Sequence, residues 1–150
     1  MKPLDGVKVI DLTHMLAGPY AGMVLADLGA EVVKIEPLGN GEMTRGLLKD
    51  DPNYSFKGFG AYFLTLNRNK KSVSIDLKSE EGLNVFYDLI KSADIVLNNF
   101  SAGVVKKLKI DFKNLEKINP KIITCSITGF GETGPHSSRP AYDQIVQAYS

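Results

Sequence analysis

The sequence contains few of the residues that mark several common classes of functional site. Among its 150 residues there are one cysteine, Cys125, no tryptophan, and two histidines, His14 and His136. A single cysteine cannot form an internal disulfide, and two isolated histidines do not match the ligand spacing of a metal site. We therefore expect neither a disulfide framework nor a bound metal ion.

Net charge and long apolar runs are also scarce. Lys plus Arg number 18 and Asp plus Glu number 17, so the chain lacks the basic excess typical of nucleic-acid-binding proteins. No uninterrupted apolar run approaches the roughly 20 residues of a membrane-spanning helix, and the first residues lack the apolar block of a signal peptide. We expect a cytoplasmic protein with no nucleic-acid or membrane partner. A hydrophobic content of 43% predicts one domain with its own core.

Short apolar runs alternate with helical patterns along the chain. Runs rich in β-branched residues predict buried strands at residues 7–12, 31–36, 72–77, 94–98 and 121–127. Between them, one helical pattern ends before Gly29, a second follows the capping residue Ser79, and a shorter one follows Asp111. This alternation is typical of Rossmann-like α/β proteins. It predicts a mostly parallel sheet of about five to six strands with helices on both faces.

Two segments interrupt this alternation. Residues 37–60 carry several glycines and an Asp-Asp-Pro sequence, and long irregular loops inside compact domains are usually functional or mobile. An apolar helical pattern begins at residues 145–149 and reaches Ser150 without a capping glycine. We therefore expect the chain to be cut within a helix of a longer protein. On its own it should expose an apolar face and self-associate.

Gly129, Gly131 and Gly134 follow the last predicted strand and match the G-x-G-x-x-G pattern of dinucleotide-binding turns. That function requires the third glycine to begin a helix whose N-terminus faces a pyrophosphate. Pro135 and a Ser-Ser-Arg-Pro sequence follow instead. The context therefore argues against nicotinamide or flavin binding.

Polar and aromatic residues follow several predicted strands, where ligands of parallel α/β sheets usually bind. His14 follows the first strand, Lys78 the third, and Phe100 the fourth, with Lys107 a little further along. A basic run at residues 68–71 precedes the third strand. Lysines and an aromatic ring suit the phosphates and base of a nucleotide-like ligand. The alternatives are a solvated basic face, a core phenylalanine and a histidine with a structural role.

Several sequence blocks, in the same order along nearly the whole chain, resemble the family III CoA-transferases. This family is also called the carnitine CoA-transferase and bile-acid-inducible type, and it includes formyl-CoA transferase and α-methylacyl-CoA racemase. The matching blocks are residues 6–13 (GVKVIDLT), 17–19 (AGP), 25–37 (LADLGAEVVKIEP), 67–72 (NRNKKS), 76–78 (DLK), 99–100 (NF), 126–135 (SITGFGETGP) and 142–143 (YD).

The resemblance implies a CoA thioester site in a Rossmann-like domain, with CoA or acyl-CoA as a substrate and no tightly bound cofactor. It also implies homodimers of interlocked ring-shaped chains in the full-length protein. Position by position, the CoA-site residues that it implies are His14, Ala17, Ile75, Leu77, Lys78, Asn99, Phe100 and Lys107. The chain departs from the family where Arg-Pro-Gly usually follows Asn-Phe, because residues 101–103 are Ser-Ala-Gly. Lys106 and Lys107 are the candidate replacements for the missing arginine, without its bidentate geometry.

One position separates the two activities of the family. Its racemases carry His-Asp where this chain has Tyr142 and Asp143, which we assign to the substrate pocket. The pKa of a tyrosine phenol is ~10 in model peptides, so the phenol is a poor base at neutral pH. The resemblance therefore favours a transferase that acts on an acyl-CoA and a carboxylic acid. The family's nucleophilic aspartate is expected beyond Ser150, so residues 1–150 alone should be inactive. A racemase fragment and a CoA- or nucleotide-binding module without catalysis remain as alternatives.

Overall fold

Five parallel strands form the central sheet of the structure, a computed structural model that describes residues 1–150. In chain order the strands are β1 (Lys8–Asp11), β2 (Glu31–Glu36), β3 (Ser55–Phe56), β4 (Phe59–Gly60), β5 (Lys70–Ser74), β6 (Ile95–Asn98) and β7 (Ile123–Ser126). The sheet order is β5–β2–β1–β6–β7, and β3 and β4 form a separate antiparallel hairpin. The order reverses between β1 and β6, as in Rossmann-like sheets, so the predicted fold class is confirmed.

Six α-helices and one 3₁₀ helix connect these strands. They are α1 (Ala17–Asp27), the 3₁₀ helix (Met43–Gly46), α2 (Ala61–Leu66), α3 (Glu80–Ile90), α4 (Val104–Lys107), α5 (Phe112–Leu115) and α6 (Asp143–Tyr149). The Ser79 hydroxyl accepts the Gly82 N–H at 3.0 Å and caps α3 as predicted. None of the helices combines the length and apolar character that crossing a membrane requires.

Three predicted details are wrong. Strand β5 spans Lys70–Ser74, so it starts earlier and ends earlier than the predicted run of residues 72–77, and Ile75 and Leu77 lie beyond it. The long segment at residues 37–60 is only partly irregular, because it contains the 3₁₀ helix and the β3–β4 hairpin. Asp111 occupies the N-cap position of α5, but its carboxylate accepts the Asn114 side-chain amide and no main-chain N–H.

Apolar side chains pack on both faces of the sheet because neighbouring residues of a strand point to opposite sides. On one face Ile10 and Val96 pack with Phe86 and Ile90 of α3. The opposite face carries a smaller cluster. Its buried members are Val9, Ala26, Ala30, Val32 and Leu97, of which Ala26 belongs to α1. Helices therefore cover both faces of the sheet, as predicted.

Charged side chains replace apolar ones on the α1 face toward the carboxyl ends of the central strands. Asp11, Lys34 and Glu36 are each 1% exposed or less. They point to the same side as Val9 and Val32, because each lies an even number of residues further along its strand. This face of the sheet therefore changes from apolar to charged along the strand direction.

Lys70 of β5 neutralises Asp11 within this layer. The Lys70 Nζ lies 2.8 Å from Asp11 Oδ2, and the two side chains are 1% and 0% exposed. The same ammonium donates to the Pro19 carbonyl at 2.8 Å and to Asn67 Oδ1 at 2.9 Å, so three acceptors surround its three protons. Burial lowers the pKa of Lys70, and the Asp11 carboxylate opposes this decrease. The interpretation of residues 68–71 as a solvated basic face is wrong for Lys70.

Glu36 forms a second buried centre of charge. Both of its carboxylate oxygens lie 2.6 Å from the Arg45 guanidinium, and Ser72 and the Glu42 main-chain N–H also donate to it. Burial alone would raise the pKa of this carboxyl, but the hydrogen bonds from Arg45, Ser72 and Glu42 lower it to about 2. Arg45 also lies 4.0 Å from the centre of the Phe63 ring. It thereby joins the 3₁₀ helix to β2 and α2.

Replacing Lys70 with methionine should strongly destabilise the fold, because Asp11 would keep a buried charge without its cation. We expect a loss of about 3–5 kcal/mol in the free energy of unfolding. Lys71→Met is the matched control on the same strand, since Lys71 pairs with Glu31 while 70% exposed. Its effect should stay below about 1 kcal/mol. Equal losses in urea unfolding of the two variants would contradict the assigned burial.

The Glu36 carboxylate should make stability sensitive to acid. Its pKa falls from 4.5 to about 2 on folding, so the unfolded chain binds the proton more readily. The stabilisation is therefore complete above the unfolded value and is lost as the pH falls from 4.5 toward 2, with a magnitude of about 3 kcal/mol. Urea unfolding across this range measures it. Glu36→Gln should flatten the acid dependence, and an unchanged slope would contradict the account.

Candidate functional site

A cleft of about 260 Å³ opens at the carboxyl ends of the central strands. Its apolar lining comes mainly from Leu12, Ile35, Ile75, Leu77 and Leu108. The cleft extends over the carboxyl ends of β5, β2, β1 and β6, so it includes the point where the strand order reverses, which is the usual ligand position in open α/β sheets. Its volume is near the lower end of small-molecule sites, so it suits a ligand portion the size of a base with its sugar.

Polar and aromatic groups complete the lining. His14 follows β1, Lys78 follows β5, and Phe100 follows β6. The His14 and Phe100 rings are 5.5 Å apart at a tilt of 54°. Lys78 is exposed, and its main-chain N–H donates to Asp76 Oδ1 at 2.9 Å. An apolar floor, a flat ring and a mobile cation at the rim can hold a nucleotide-like group.

The environment of His14 favours the neutral form of its imidazole. Burial and the nearby Lys34 ammonium lower its pKa below the ordinary value of 6.5, and Glu42, Asp11 and Glu36 oppose the decrease. A neutral imidazole can donate or accept hydrogen bonds but adds no positive charge. Charge pairing with an anionic ligand therefore has to come from lysines.

The structure brings together five of the CoA-site residues that the sequence resemblance implied. These five line the same cleft, and they are His14, Ile75, Leu77, Lys78 and Phe100.

Three further predicted positions lie near the cleft without lining it. Ala17 is the first residue of α1. Lys107 ends α4 and precedes Leu108, which does line the cleft. Both amide atoms of Asn99 bond the main chain of His14, with Oδ1 accepting its N–H and Nδ2 donating to its carbonyl, each at 2.8 Å. The geometry therefore gives Asn99 a role in holding His14 in place.

The predicted substrate-pocket residues Tyr142 and Asp143 do not line this cleft. Tyr142 is 69% exposed at the N-cap of α6, and Asp143 begins that helix and accepts from Gln147 at 2.7 Å. The chain after β7 reaches α6 through turns that contain Gly129, Gly131 and Gly134. No helix begins at Gly134, so these glycines lack the geometry of a dinucleotide-binding turn.

Sequence reasoning missed the charged layer beneath the segment between β1 and α1. Lys34 Nζ donates to the Thr13 carbonyl at 2.7 Å, and Asp11 Oδ1 accepts the Thr13 N–H at 2.9 Å. Glu42 accepts the Met15 N–H at 3.1 Å. The available signal was the presence of charged residues inside otherwise apolar strand sequences. No cluster of three or more His, Cys, Asp or Glu side chains is placed to hold a metal ion.

Comparison with known proteins identifies the family to which this fold and cleft belong. The model of CoA-transferase family III matches residues 4–150. A succinyl-CoA:glutarate CoA-transferase of Mus musculus is 43% identical over 150 residues, covering 100% of this chain and 34% of the relative. An acetyl-CoA:oxalate CoA-transferase of Acetobacter aceti is 44% identical over 150 residues, covering 99% of this chain and 37% of that protein. The chain thus spans about a third of the length of these curated relatives.

A solved structure agrees with the sequence comparisons. The crystal structure of a CAIB/BAIF family protein from Brucella suis superposes with a TM-score of 0.90 at 42% identity, covering 99% of this chain and 39% of that one. Because the family model matches from residue 4 to residue 150 and the fold agrees over the same length, the chain belongs to CoA-transferase family III.

Proposed function

We propose that this chain is the N-terminal, CoA-binding part of an enzyme that moves CoA from an acyl-CoA donor to a carboxylic acid. The observation that carries the proposal is the cleft at the switch point of the sheet, where Lys78, His14 and Phe100 converge over an apolar floor. These are positions at which the family resemblance implies CoA contacts. The named activities of the relatives, which all transfer CoA between acids, support the same conclusion.

The chemistry of CoA fits the two parts of the cleft. Adenine is flat and largely apolar, and it can lie against Phe100 and the aliphatic floor formed by Ile75 and Leu77. The phosphates are anionic and can pair with the exposed ammonium groups of Lys78 and Lys107. Lys78 lines the cleft, and Lys107 directly precedes the lining residue Leu108. Because both cations are exposed, we expect CoA to bind reversibly, as a substrate that leaves in each cycle.

The catalytic step would need groups beyond those in the cleft. In the family mechanism an aspartate attacks the acyl-CoA carbonyl and expels the CoA thiolate, forming a mixed anhydride. The thiolate then attacks the aspartyl carbonyl of the anhydride and releases the donor acid. The resulting aspartyl-CoA thioester passes CoA to the acceptor carboxylate by the reverse steps. We place this aspartate after Ser150 in a protein of the relatives' length.

Tyr142 favours the transferase over the racemase. Racemisation at the carbon next to a thioester requires a base on each side, and the family's racemases use a histidine where Tyr142 stands. We propose that Tyr142 and Asp143 contribute to the substrate pocket once the rest of the protein closes over α6. We also infer a cytoplasmic homodimer of the full-length protein, following the family's interlocked assembly.

Removing the Lys78 cation should weaken CoA binding selectively. In the full-length protein, Lys78→Ala should raise the Kd for CoA about 10-fold, because the ion pair with one phosphate is lost. This change is equivalent to about 1.4 kcal/mol. The Kd for pantetheine, which has no phosphates, should not change. Isothermal titration calorimetry with both ligands measures the difference.

Lys113→Ala is the matched control for that experiment, because Lys113 is an exposed lysine outside the cleft. It should leave both affinities unchanged. An equal loss of CoA and pantetheine affinity in Lys78→Ala would argue against the phosphate assignment. Tighter binding of NAD than of CoA would overturn the proposed function itself.

A further inference from the structure

Met15 adopts a backbone conformation that is unfavourable for a residue with a side chain. Its φ angle is +67°, in the left-handed region, and it lies directly between His14 and the start of α1. Such a conformation costs a non-glycine residue roughly 1–2 kcal/mol, so the surrounding structure has to maintain it. The Met15 side chain is 41% exposed and does not line the cleft. Packing of this side chain therefore does not explain the conformation.

Glu42 supplies the restraint from a distant part of the chain. Its side chain is fully buried, and its Oε1 accepts the Met15 N–H at 3.1 Å. The other oxygen, Oε2, accepts both the main-chain N–H and the hydroxyl of Thr44. The Glu42 main-chain N–H donates to Glu36 Oε2 at 2.8 Å. The Glu42 carboxylate therefore connects the Met15 turn to the 3₁₀ helix, and the Glu42 main-chain N–H connects the same residue to β2.

Hydrogen bonds hold the main chain at His14 and at Met15. Asn99 holds the main-chain N–H and carbonyl of His14, and Glu42 holds the next N–H along the chain. These bonds set the backbone on both sides of the His14 side chain. The ring then lies 5.5 Å from Phe100 at the edge of the cleft.

We propose that Glu42 is a positioning residue of the CoA site, holding the left-handed turn at Met15 that places the His14 ring beside Phe100. The inference rests on the proposed function for the identity of the ligand. It gives the segment of residues 37–60 a part in CoA binding that does not require contact with CoA. The order of that segment is thereby coupled to the shape of the cleft.

Glu42→Gln tests the role with little change in volume. A glutamine has one acceptor oxygen where the carboxylate has two, so either the Met15 N–H or the Thr44 N–H must face an amide NH₂ group. A buried donor without an acceptor is costly, and we expect the Kd for CoA to rise about 10-fold. The chemical shifts of the His14 ring protons, which the Phe100 ring current displaces, should change at the same time.

Met15→Gly should reverse this effect, because glycine adopts a positive φ without strain. In the Glu42→Gln background it should return the CoA affinity to within about 3-fold of the wild type and restore the His14 shifts. Met15→Ala is the matched control, since alanine keeps the Cβ atom that causes the strain. It removes the same long side chain and should give no rescue.

The experiment uses the protein as its gene encodes it, with CoA as the probe. Unchanged CoA affinity and His14 shifts in Glu42→Gln would overturn the proposal, as would equal rescue by glycine and alanine. If Glu42→Gln does not fold, the same comparison applies to the yield of folded protein, and failure of Met15→Gly to recover it overturns the proposal. If the wild type does not bind CoA, the proposed function fails, while the His14 shifts in these variants still decide the role of Glu42.

Discussion

The buried pair of Asp11 and Lys70 is the constraint on which the arrangement of this domain depends. It joins the central strand β1 to the edge strand β5, which are separated by β2, and the Lys70 ammonium also binds the Pro19 carbonyl in α1. Helix α1 can approach the pair because residue 22 is glycine. A Cβ atom there would lie 2.7 Å from Asp11 Oδ2. Two buried charges are stable in the interior only when each is paired and hydrogen-bonded, so these elements are held in one relative position.

The two faces of the sheet differ in chemical character and in role. The α1 face carries the charged layer, which fixes the segment after β1 through Lys34 and Glu42. The other face is apolar, and its residues Leu12 and Ile35 continue into the floor of the cleft. A rigid polar layer and an apolar binding surface thus meet at the carboxyl ends of the strands. Ligand sites held by rigid elements in this way need little reorganisation on binding.

Local patterns predicted the five strands of the main sheet, with β5 displaced, and two of the longer helices, whereas tertiary partners decided the rest. Residues 31–36 form β2 as predicted, because Val32, Val33 and Ile35 make a run rich in β-branched residues, which is typical of a buried strand. Lys70 and Lys71 are identical neighbours, yet one is buried and the other exposed. The difference depends on Asp11, 59 residues away, and no local pattern contains that information. The resemblance predicted that His14, Lys78 and Phe100 are CoA-site residues. Only the fold revealed that Asn99 bonds the main chain of His14 and that Glu42 bonds the Met15 N–H.

We propose that the cleft at the carboxyl ends of the strands binds the nucleotide end of CoA. A crystal structure of the protein, as its gene encodes it, in complex with CoA tests this claim most directly. We expect the adenine to lie against Phe100 and the aliphatic floor of the cleft, and a phosphate to lie within hydrogen-bonding distance of the Lys78 ammonium. CoA bound instead along the turn at residues 129–134, with the cleft at His14 and Phe100 empty, would contradict it.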